Sequence, residues 1–236
     1  MTLDTNEAKK GPVGNNKGGE TLASAVYDRL LGDILNGNLE PGLKLRLQVL
    51  KTQYDVGNSP LREALNRLSE KGMVVREENK GFRVAPASEN ELKEMIRTRC
   101  WLEEIALRES IKNGDDAWEE QIVLAFHRLS RSARKDEGKT GATTREWEQR
   151  HSEYHHALLS ACGSSILLDF CIQLDERTLR YRNLAAVRAH RDRHELDEHR
   201  AIQEAALNRD ADLAVKLMKS HFEITLEIVL SSGGIS

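Results

Sequence analysis

The sequence predicts a mainly α-helical protein made of two parts: three helices with a two-stranded hairpin, followed by an antiparallel α-helical bundle. Two observations carry this prediction. Apolar residues recur at helical spacing over most of the 236 residues,. A strand pattern is confined to residues 73–85, where two short apolar runs flank a glycine turn,. We therefore place one unit at residues 21–86 and a helical unit at residues 90–230.

Composition limits what the chain can be. Its 39% hydrophobic residues suffice for buried cores, but no apolar run reaches the roughly 18 residues that a membrane span requires,. Residues 1–20 are polar and rich in Gly, Asn and Lys, which predicts a disordered tail without a signal peptide,. Cys100, Cys162 and Cys171 lie in helical patterns without metal-site spacing, so we expect reduced thiols and a cytoplasmic protein,.

The first unit begins with a helix whose apolar stripe runs over residues 22–35. Asn-Gly-Asn at residues 36–38 stops this helix, and a Glu-Pro-Gly turn follows at residues 40–42,. Leucines alternate with basic residues over residues 43–47, which allows either a short strand or an extended lead-in. The next helix is predicted over about residues 48–54.

Residues 57–65 connect that helix to a third one. We expect Ser59 to cap the third helix through its hydroxyl and Pro60 to occupy its first position, where a missing N–H costs nothing. Arg62 then points outward. Two helices joined in this way form either a helix-turn-helix or an ordinary helical hairpin. The strands at residues 73–85 favour the first alternative, because a helix-turn-helix followed directly by two strands is a winged helix.

Charge is consistent with a nucleic-acid interface in this unit. The chain carries a net charge of −3, yet nine Lys or Arg stand against five Asp or Glu over residues 44–83. A helix fits the major groove of DNA, and the hairpin tip has Lys80 beside Gly81, which lets a backbone approach closely. A basic patch of this size permits DNA binding without proving it.

Three motifs in residues 30–85 are specific in combination: the Pro-Gly turn, the helix P-L-R-E-A-L-N-R-L and the wing N-K-G-F-R-V-A. Together they resemble the winged-helix domain of GntR-family transcription regulators. The resemblance implies a homodimer that binds a two-fold symmetric, double-stranded DNA operator. The family usually has Ser-Arg-Thr where this chain has Gly-Asn-Ser at residues 57–59, and Asn pairs with adenine where Arg favours guanine. The operator is therefore expected to differ from the usual one. The implied DNA-contact residues are Gln48, Asn58, Ser59, Arg62, Lys80 and Gly81.

The second unit begins after a linker at residues 86–88, with Ser88 and Glu91 as a capping box. Four of the eight histidines lie on apolar stripes of three helices. They either bind one metal ion or form hydrogen bonds in the core, and the cost of burying four unpartnered imidazoles favours the metal. The inward set is His151, His155, His199 and His221, whereas His127, His156, His190 and His194 are expected to be solvated or structural, the last two in a charged run that includes Arg193.

The motifs H-S-E-Y-H-H-A-L-L, E-H-R-A-I and M-K-S-H resemble the helical effector domain, or FCD domain, of the FadR-type subgroup of the same family. Its metal-binding branch uses an aspartate and three histidines. His155, His199 and His221 match those histidines, and His151 stands at the usual aspartate position. Losing that negative charge favours zinc or nickel.

The same resemblance implies a small carboxylate effector bound beside the metal. The glutarate-responsive members of the subgroup make a dicarboxylate such as glutarate the expected effector. An internal salt bridge to Glu103, four residues further along the same helix, is the alternative role for Arg99. The implied effector-binding residues are Arg99, Arg177 and Tyr181.

These expectations describe a homodimeric repressor that a carboxylate releases from its operator. Two alternatives remain: a metal-dependent hydrolase that uses the histidine cluster, and a regulator whose helical domain only dimerises. Against the hydrolase, the sequence lacks His-Glu-x-x-His, and four protein ligands leave little room for an activated water.

Overall fold

A computed structural model describes residues 21–35, 37–78, 80–134, 144–186 and 193–233. The predicted disordered tail lies outside these residues. Within them there are nine helices and one three-stranded sheet, which confirms the mainly α-helical prediction. No helix in this part of the chain is both long and apolar enough to cross a membrane. The elements in order are α1 (Leu22–Leu35), β1 (Lys44–Leu45), α2 (Leu47–Tyr54), α3 (Asn58–Glu70), β2 (Val74–Glu77), β3 (Gly81–Val84), α4 (Glu89–Asn113), α5 (Asp116–Arg131), α6 (Arg145–Leu159), α7 (Ser165–Ala186), α8 (Glu195–Leu207) and α9 (Ala211–Ser231).

The first three helices and the sheet enclose an apolar core. The strand order is β1-β3-β2, and both pairings are antiparallel. β1 forms within the alternating leucines of residues 43–47, so the short strand is the alternative that is present there, and it adds a third strand to the predicted two-stranded wing. β3 is the central strand, and its Phe82 and Val84 are buried because alternate residues of a strand face the same side,.

The start of α3 differs from the prediction. Gly57, not Ser59, is the N-cap: its backbone is extended, with φ −73° and ψ 171°, and no side-chain hydrogen bond caps the helix. The predicted Ser59 cap is therefore wrong, because the helix begins two residues earlier than predicted, at Asn58 instead of Pro60. Pro60 lies within the first turn rather than at the first position. A proline fits there because the first four N–H groups of a helix have no intrahelical partner.

The C-terminal part buries a second core between the six described helices α4 to α9. α4 packs against α7 and α9, α5 packs against α6, and α8 packs against α9. Four of these helices have a side-chain cap that accepts a hydrogen bond from the backbone amide three residues further on. The capping residues are Ser88, Asp115, Thr144 and Asp210, and the first of them confirms the predicted start of α4.

Candidate metal centre and DNA-binding surface

Four histidine side chains meet inside the helical bundle. His151 and His155 come from α6, His199 from α8 and His221 from α9, and all four are buried. One ring nitrogen of each lies within 4.8 Å of those of the other three. On α6 the arrangement follows from spacing, because residues four apart share a helical face.

Two of the separations between ring nitrogens match those of a tetrahedral zinc site. The Nε2 atoms of His151 and His155 are 3.3 Å apart, as are those of His155 and His199. A zinc ion with bonds of about 2.0–2.1 Å places tetrahedral ligand atoms about 3.3–3.4 Å from one another. His155 Nε2 faces the Nε2 atoms of both His151 and His199. A nitrogen of a neutral imidazole either donates one proton or accepts one, so His155 Nε2 can form a hydrogen bond with only one of these two rings. The donor set therefore fits a metal ion better than it fits a hydrogen-bonded core.

Burial favours the neutral form of these imidazoles. It lowers the pKa of His151, His155 and His199 well below the ordinary value, and neighbouring histidines lower it further. Burial also lowers the pKa of His221, although a hydrogen bond to Glu198 opposes the shift. His221 Nδ1 lies 2.9 Å from Glu198 Oε2, and a proton there leaves the lone pair of Nε2 free for a ligand. The neutral ring is the form that binds metals.

Glu198 and Arg193 form a charged pair beside His221. Arg193 donates to Glu198 at 2.6 Å and to the backbone oxygen of His221 at 3.0 Å. Burial favours protonated Glu198, but the hydrogen bonds from Arg193 and His221 outweigh burial and lower its pKa to about 2. Arg193 belongs to the charged run noted in the sequence, yet its side chain is only 8% exposed, because these partners hold it inside the protein.

Glu195 brings another carboxylate to the cluster. Its Oε1 lies 3.8 Å from His151 Nε2, and its Oε2 lies 3.0 Å from the guanidinium of Arg134. The sequence holds one signal for Glu195, which precedes His199 by four residues and so shares its face of α8. No pattern pointed to Arg134, because it reaches Glu195 from the irregular segment that follows α5.

Arg99 is enclosed by acidic side chains. It is 2% exposed, its Nε donates to Glu103 at 2.7 Å, and its Nη1 lies 3.2 Å from Asp175. The salt bridge to Glu103 that the sequence offered as the alternative is thus present. Burial favours protonated Asp175, but Arg182 and Arg99 hold its pKa well below the usual range. Arg99 also stacks over the ring of Phe222, with 4.4 Å to the centroid.

Arg177 and Tyr181 lie on another face of α7. Arg177 Nη2 donates to one oxygen of Glu91 at 2.7 Å, and the Tyr181 hydroxyl donates to the other at 2.8 Å. Two helical positions separate Arg177 from Asp175, so their side chains point roughly 200° apart around the axis. The structure therefore places these two candidates at the start of α4, beside the linker, and Arg99 in a different group.

The four histidines outside the cluster differ in their exposure to solvent. His127 and His194 are exposed, in agreement with the expectation for solvated residues. His156 is partly buried, and its Nε2 lies 3.8 Å from Asp175. His190 lies outside the described residues.

The winged helix presents an exposed polar surface. α3 buries Leu61, Leu65 and Leu68 against the core, which turns its polar face outward. The hairpin between β2 and β3 turns at Gly81, whose φ of +93° is a left-handed conformation that glycine adopts without strain,. The predicted DNA-contact residues are all exposed: Gln48, Asn58, Ser59, Arg62, Lys80 and Gly81.

Comparison with known families accounts for both parts of the chain. Residues 22–84 match the model of bacterial regulatory proteins of the gntR family, and residues 94–224 match the FCD domain. The chain belongs to the gntR family. This gntR-family protein is 34% identical over 227 residues to the uncharacterised HTH-type transcriptional regulator BphR of Paraburkholderia xenovorans, covering 96% of this chain and 91% of the relative. It is 34% identical over 209 residues to the HTH-type transcriptional repressor GlaR of Escherichia coli, covering 86% and 93%.

The solved structure of McbR/YncC from E. coli supports the same fold. It superposes with a TM-score of 0.70 at 19% identity, covering 90% of this chain and 98% of that one. As a gntR-family member, the protein is a DNA-binding transcription regulator and not an enzyme. The alternative of a metal-dependent hydrolase is therefore wrong.

Proposed function

We propose that this gntR-family regulator is a repressor that binds a metal ion and senses a small carboxylate. A homodimer binds a two-fold symmetric operator through α3 and the hairpin tip, and a dicarboxylate such as glutarate, bound beside the metal, releases it. The observation that carries the proposal is the convergence of four buried histidine nitrogens in a chain that also exposes the polar face of α3. The E. coli relative, named as a repressor, supports the sign of regulation.

The metal-holding residues in this proposal are His151, His155, His199 and His221. Imidazole is a good ligand for zinc and nickel, and a set without a carboxylate disfavours harder ions such as Mg²⁺. A bound ion would supply a Lewis-acidic point for a carboxylate oxygen. Glu198 fixes the orientation of the His221 ring through Nδ1, a type of contact on which metal affinity commonly depends,.

We propose Arg99, Arg177 and Tyr181 as residues that respond to the effector carboxylates. Each is already paired with a protein carboxylate: Arg99 with Glu103 and Asp175, and the other two with Glu91. An effector carboxylate that displaces Glu91 from Arg177 and Tyr181, or Asp175 from Arg99, would break a contact between α4 and α7. Such a loss is the kind of differential interaction that shifts a conformational equilibrium.

For the operator, we propose that Asn58 and Arg62 contact base edges. Both lie in the first two turns of α3 and are exposed, and these positions suit major-groove contacts,. Gln48, Ser59, Lys80 and Gly81 would contact the DNA backbone on either side, which positions the helix without specifying sequence.

Exposed apolar residues on α4 support the dimer. Trp101 is 58% exposed and Ile105 is 54% exposed, and they lie four residues apart on one face,. Arg97 stacks on the Trp101 ring at 5.4 Å from the centroid, but this leaves most of the ring in contact with solvent. A second copy of the chain that packs on this face would bury both side chains.

The test combines operator binding with metal analysis. Fluorescence anisotropy on the promoter fragment beside the gene would be measured with a panel of dicarboxylates, with zinc or nickel present and after chelation. We expect nanomolar binding of the metal-loaded dimer, which at least one dicarboxylate weakens about tenfold or more. The purified protein should hold one metal ion per chain by elemental analysis.

Matched histidine variants complete the design. His155→Ala should lose the metal and the carboxylate response, whereas His127→Ala, at an exposed position on α5, should keep both. A protein that binds the operator but takes up no zinc or nickel, and whose affinity no dicarboxylate changes, would have a helical domain that serves only for dimerisation.

A further inference from the structure

The helix α7 contacts both functional regions of the chain. One face of α7 carries Asp175 and Arg182, which lie seven residues apart and so point in nearly the same direction. The other carries Glu176, Arg177 and Tyr181. The first face packs towards α4 and the histidine-bearing α6, and the second packs towards the winged helix and the linker.

On the first face, α7 is joined to the helix that carries two of the four histidines. Ser152 of α6 donates to Asp175 Oδ2 at 2.6 Å. Arg182 donates to Asp175 at 3.0 Å and to Glu148 of α6 at 3.1 Å. Ser152 lies next in the chain to His151. These contacts are buried or nearly so, and α6 therefore cannot shift along α7 without breaking charged hydrogen bonds.

On the other face, α7 holds the turn that follows α3. Glu176 forms a salt bridge of 2.6 Å with Lys71. The next residue, Arg177, packs on Gly72, where a Cβ atom would lie 3.4 Å from the guanidinium Nε. Gly72 has a φ of +70°, so this tight turn favours glycine for its backbone conformation, and the Arg177 side chain lies at van der Waals distance from it,.

The linker between the domains is held by α7 as well. Arg180 donates to the backbone oxygens of Ala85 and Pro86, at 3.0 Å and 2.9 Å. The Tyr181 hydroxyl accepts from the backbone amide of Ser88 at 3.3 Å. Arg180 is 3% exposed, so two N–H groups of a buried guanidinium donate hydrogen bonds to the main chain of the linker.

We propose that α7 is the coupling element of this regulator: contacts on its Asp175 face follow the state of the histidine centre, and contacts on its Glu176 face fix the placement of the winged helix. The second set, which we term the latch, comprises Lys71–Glu176, Arg177 on Gly72, and Arg180 and Tyr181 on the linker. The proposal rests on the function proposed above, because it names the route by which that site acts on DNA binding.

Charge exchange across the domain boundary tests the latch in the full-length protein. Lys71→Glu and Glu176→Lys each place like charges together, and the double variant restores an opposite pair. Lys219→Glu is the matched control, because Lys219 also pairs with an acid on another helix, Glu104 at 2.5 Å, but within the bundle. The first readout is hydrogen exchange at the Ser88 amide, measured without DNA. The second is the change in operator affinity on adding zinc to the chelated protein.

In each single variant we expect exchange at Ser88 to be about two- to fivefold faster than in the wild type, the range that a half-exposed ion pair supports. The zinc-dependent change in operator affinity should shrink by a similar factor, while zinc affinity stays unchanged. The double variant should return both readouts towards wild type, and Lys219→Glu should leave both unaltered. Arg180→Lys, which keeps the charge but loses the guanidinium fork, should accelerate exchange at Ser88 by more than either charge reversal.

Wild-type exchange rates in both single variants, or an effect that the double variant does not reverse, would overturn the proposal. The exchange measurement requires neither operator nor effector. A wild-type protein that fails to bind zinc or DNA would therefore count against the proposed function, while the Ser88 rates would still decide whether the latch holds the linker.

Discussion

The two cores of the molecule are built from different kinds of residue. In the described residues of the winged helix, the buried side chains are apolar apart from the tip of Tyr54. In the bundle, the core also encloses charged and polar residues. The buried polar residues are Arg99, Glu103, Ser110, Glu148, His151, His155, Asp175, Thr178, Arg180, Glu195, His199, His221 and Thr225.

This difference separates two tasks. The described part of the winged helix keeps its charged residues out of the core, so its stability depends less on charge pairing than that of the bundle does. The bundle buries charges that are stable only while each has its partner, because an unpaired buried charge costs several kcal/mol. A domain of the second kind is sensitive to the protonation and pairing of its buried groups, which is consistent with the sensing role proposed above.

The largest expected effect comes from breaking the buried network. Asp175→Asn removes the charge that faces Arg99 and Arg182, leaving two buried guanidinium groups short of a partner. We expect the free energy of unfolding in urea to fall by about 3–5 kcal/mol. Asp169→Asn, at an exposed position of the same helix, should change it by less than about 0.5 kcal/mol. Equal losses of unfolding free energy at the two positions would mean that removing a charge from the bundle core costs no more than removing one from its surface.

Acid should destabilise the bundle but not the winged helix. Burial lowers the folded-state pKa of His151, His155 and His199, whereas the unfolded value is about 6.5,. The unfolded chain therefore binds more protons below that pH, and the metal-free protein loses up to about 1.4 kcal/mol per histidine for each pH unit. Urea unfolding of metal-free protein at pH 7.5 and pH 5.5 would measure the loss.

The winged helix supplies the internal reference, because residues 21–86 contain no histidine. Hydrogen exchange at the α3 amides, corrected for the intrinsic exchange rate, gives the free energy of local opening. This free energy should be the same at the two pH values. A loss of stability in α3 equal to that of the bundle would show that the two cores respond as one.

A smaller effect is expected at α3, the helix proposed to contact base edges. Arg62→Ala should weaken operator binding by about 1–3 kcal/mol and relax the preference for one base, since the proposed base contact would be lost. Its free energy of unfolding should stay within about 0.5 kcal/mol of wild type because Arg62 is exposed,. Anisotropy titrations against the operator and single-base variants check both parts. Arg128→Ala, an exposed arginine on α5, should leave operator binding unchanged.

The smallest effect is expected at the hairpin tip. Lys80→Ala should weaken binding to all DNA sequences alike, by a few-fold, and reduce the slope of log affinity against log salt by about one. Titrations at several salt concentrations, on operator and unrelated DNA, would measure that slope. An effect confined to the operator would instead identify Lys80 as a base-reading residue.

Local patterns were enough to predict the elements, the order of the domains and the inward histidines. Helical spacing places His151 and His155 on one face whatever surrounds them, and Gly81 at a strand-to-strand turn predicts the hairpin. The predicted start of α3 was wrong by two residues, because Gly57 and Ser59 are both acceptable caps and local sequence does not decide between them,.

The buried ion pairs near the histidines could not be predicted from local patterns. Asp175 meets Arg99 across two helices, and Arg193 meets His221 after a chain reversal. Such pairs have no fixed sequence separation, so no periodicity reveals them. A run of charges such as the one ending at Arg193 has the composition of a solvent-exposed segment, and only packing shows which member turns inward.

The two-residue strand β1 has a consequence for how the family member can change its operator. Because β1 pairs with β3, the hairpin strand that follows the tip is hydrogen-bonded on both sides. Arg83 of β3 also donates hydrogen bonds to both sides of this strand, to Glu77 at 2.9 Å and to the backbone oxygen of Gly42 at 2.6 Å. These hydrogen bonds oppose a tilt of the hairpin on which Lys80 lies. If the tip contacts DNA as proposed, a new target sequence would then require exchanged side chains on the same backbone and not a reoriented hairpin.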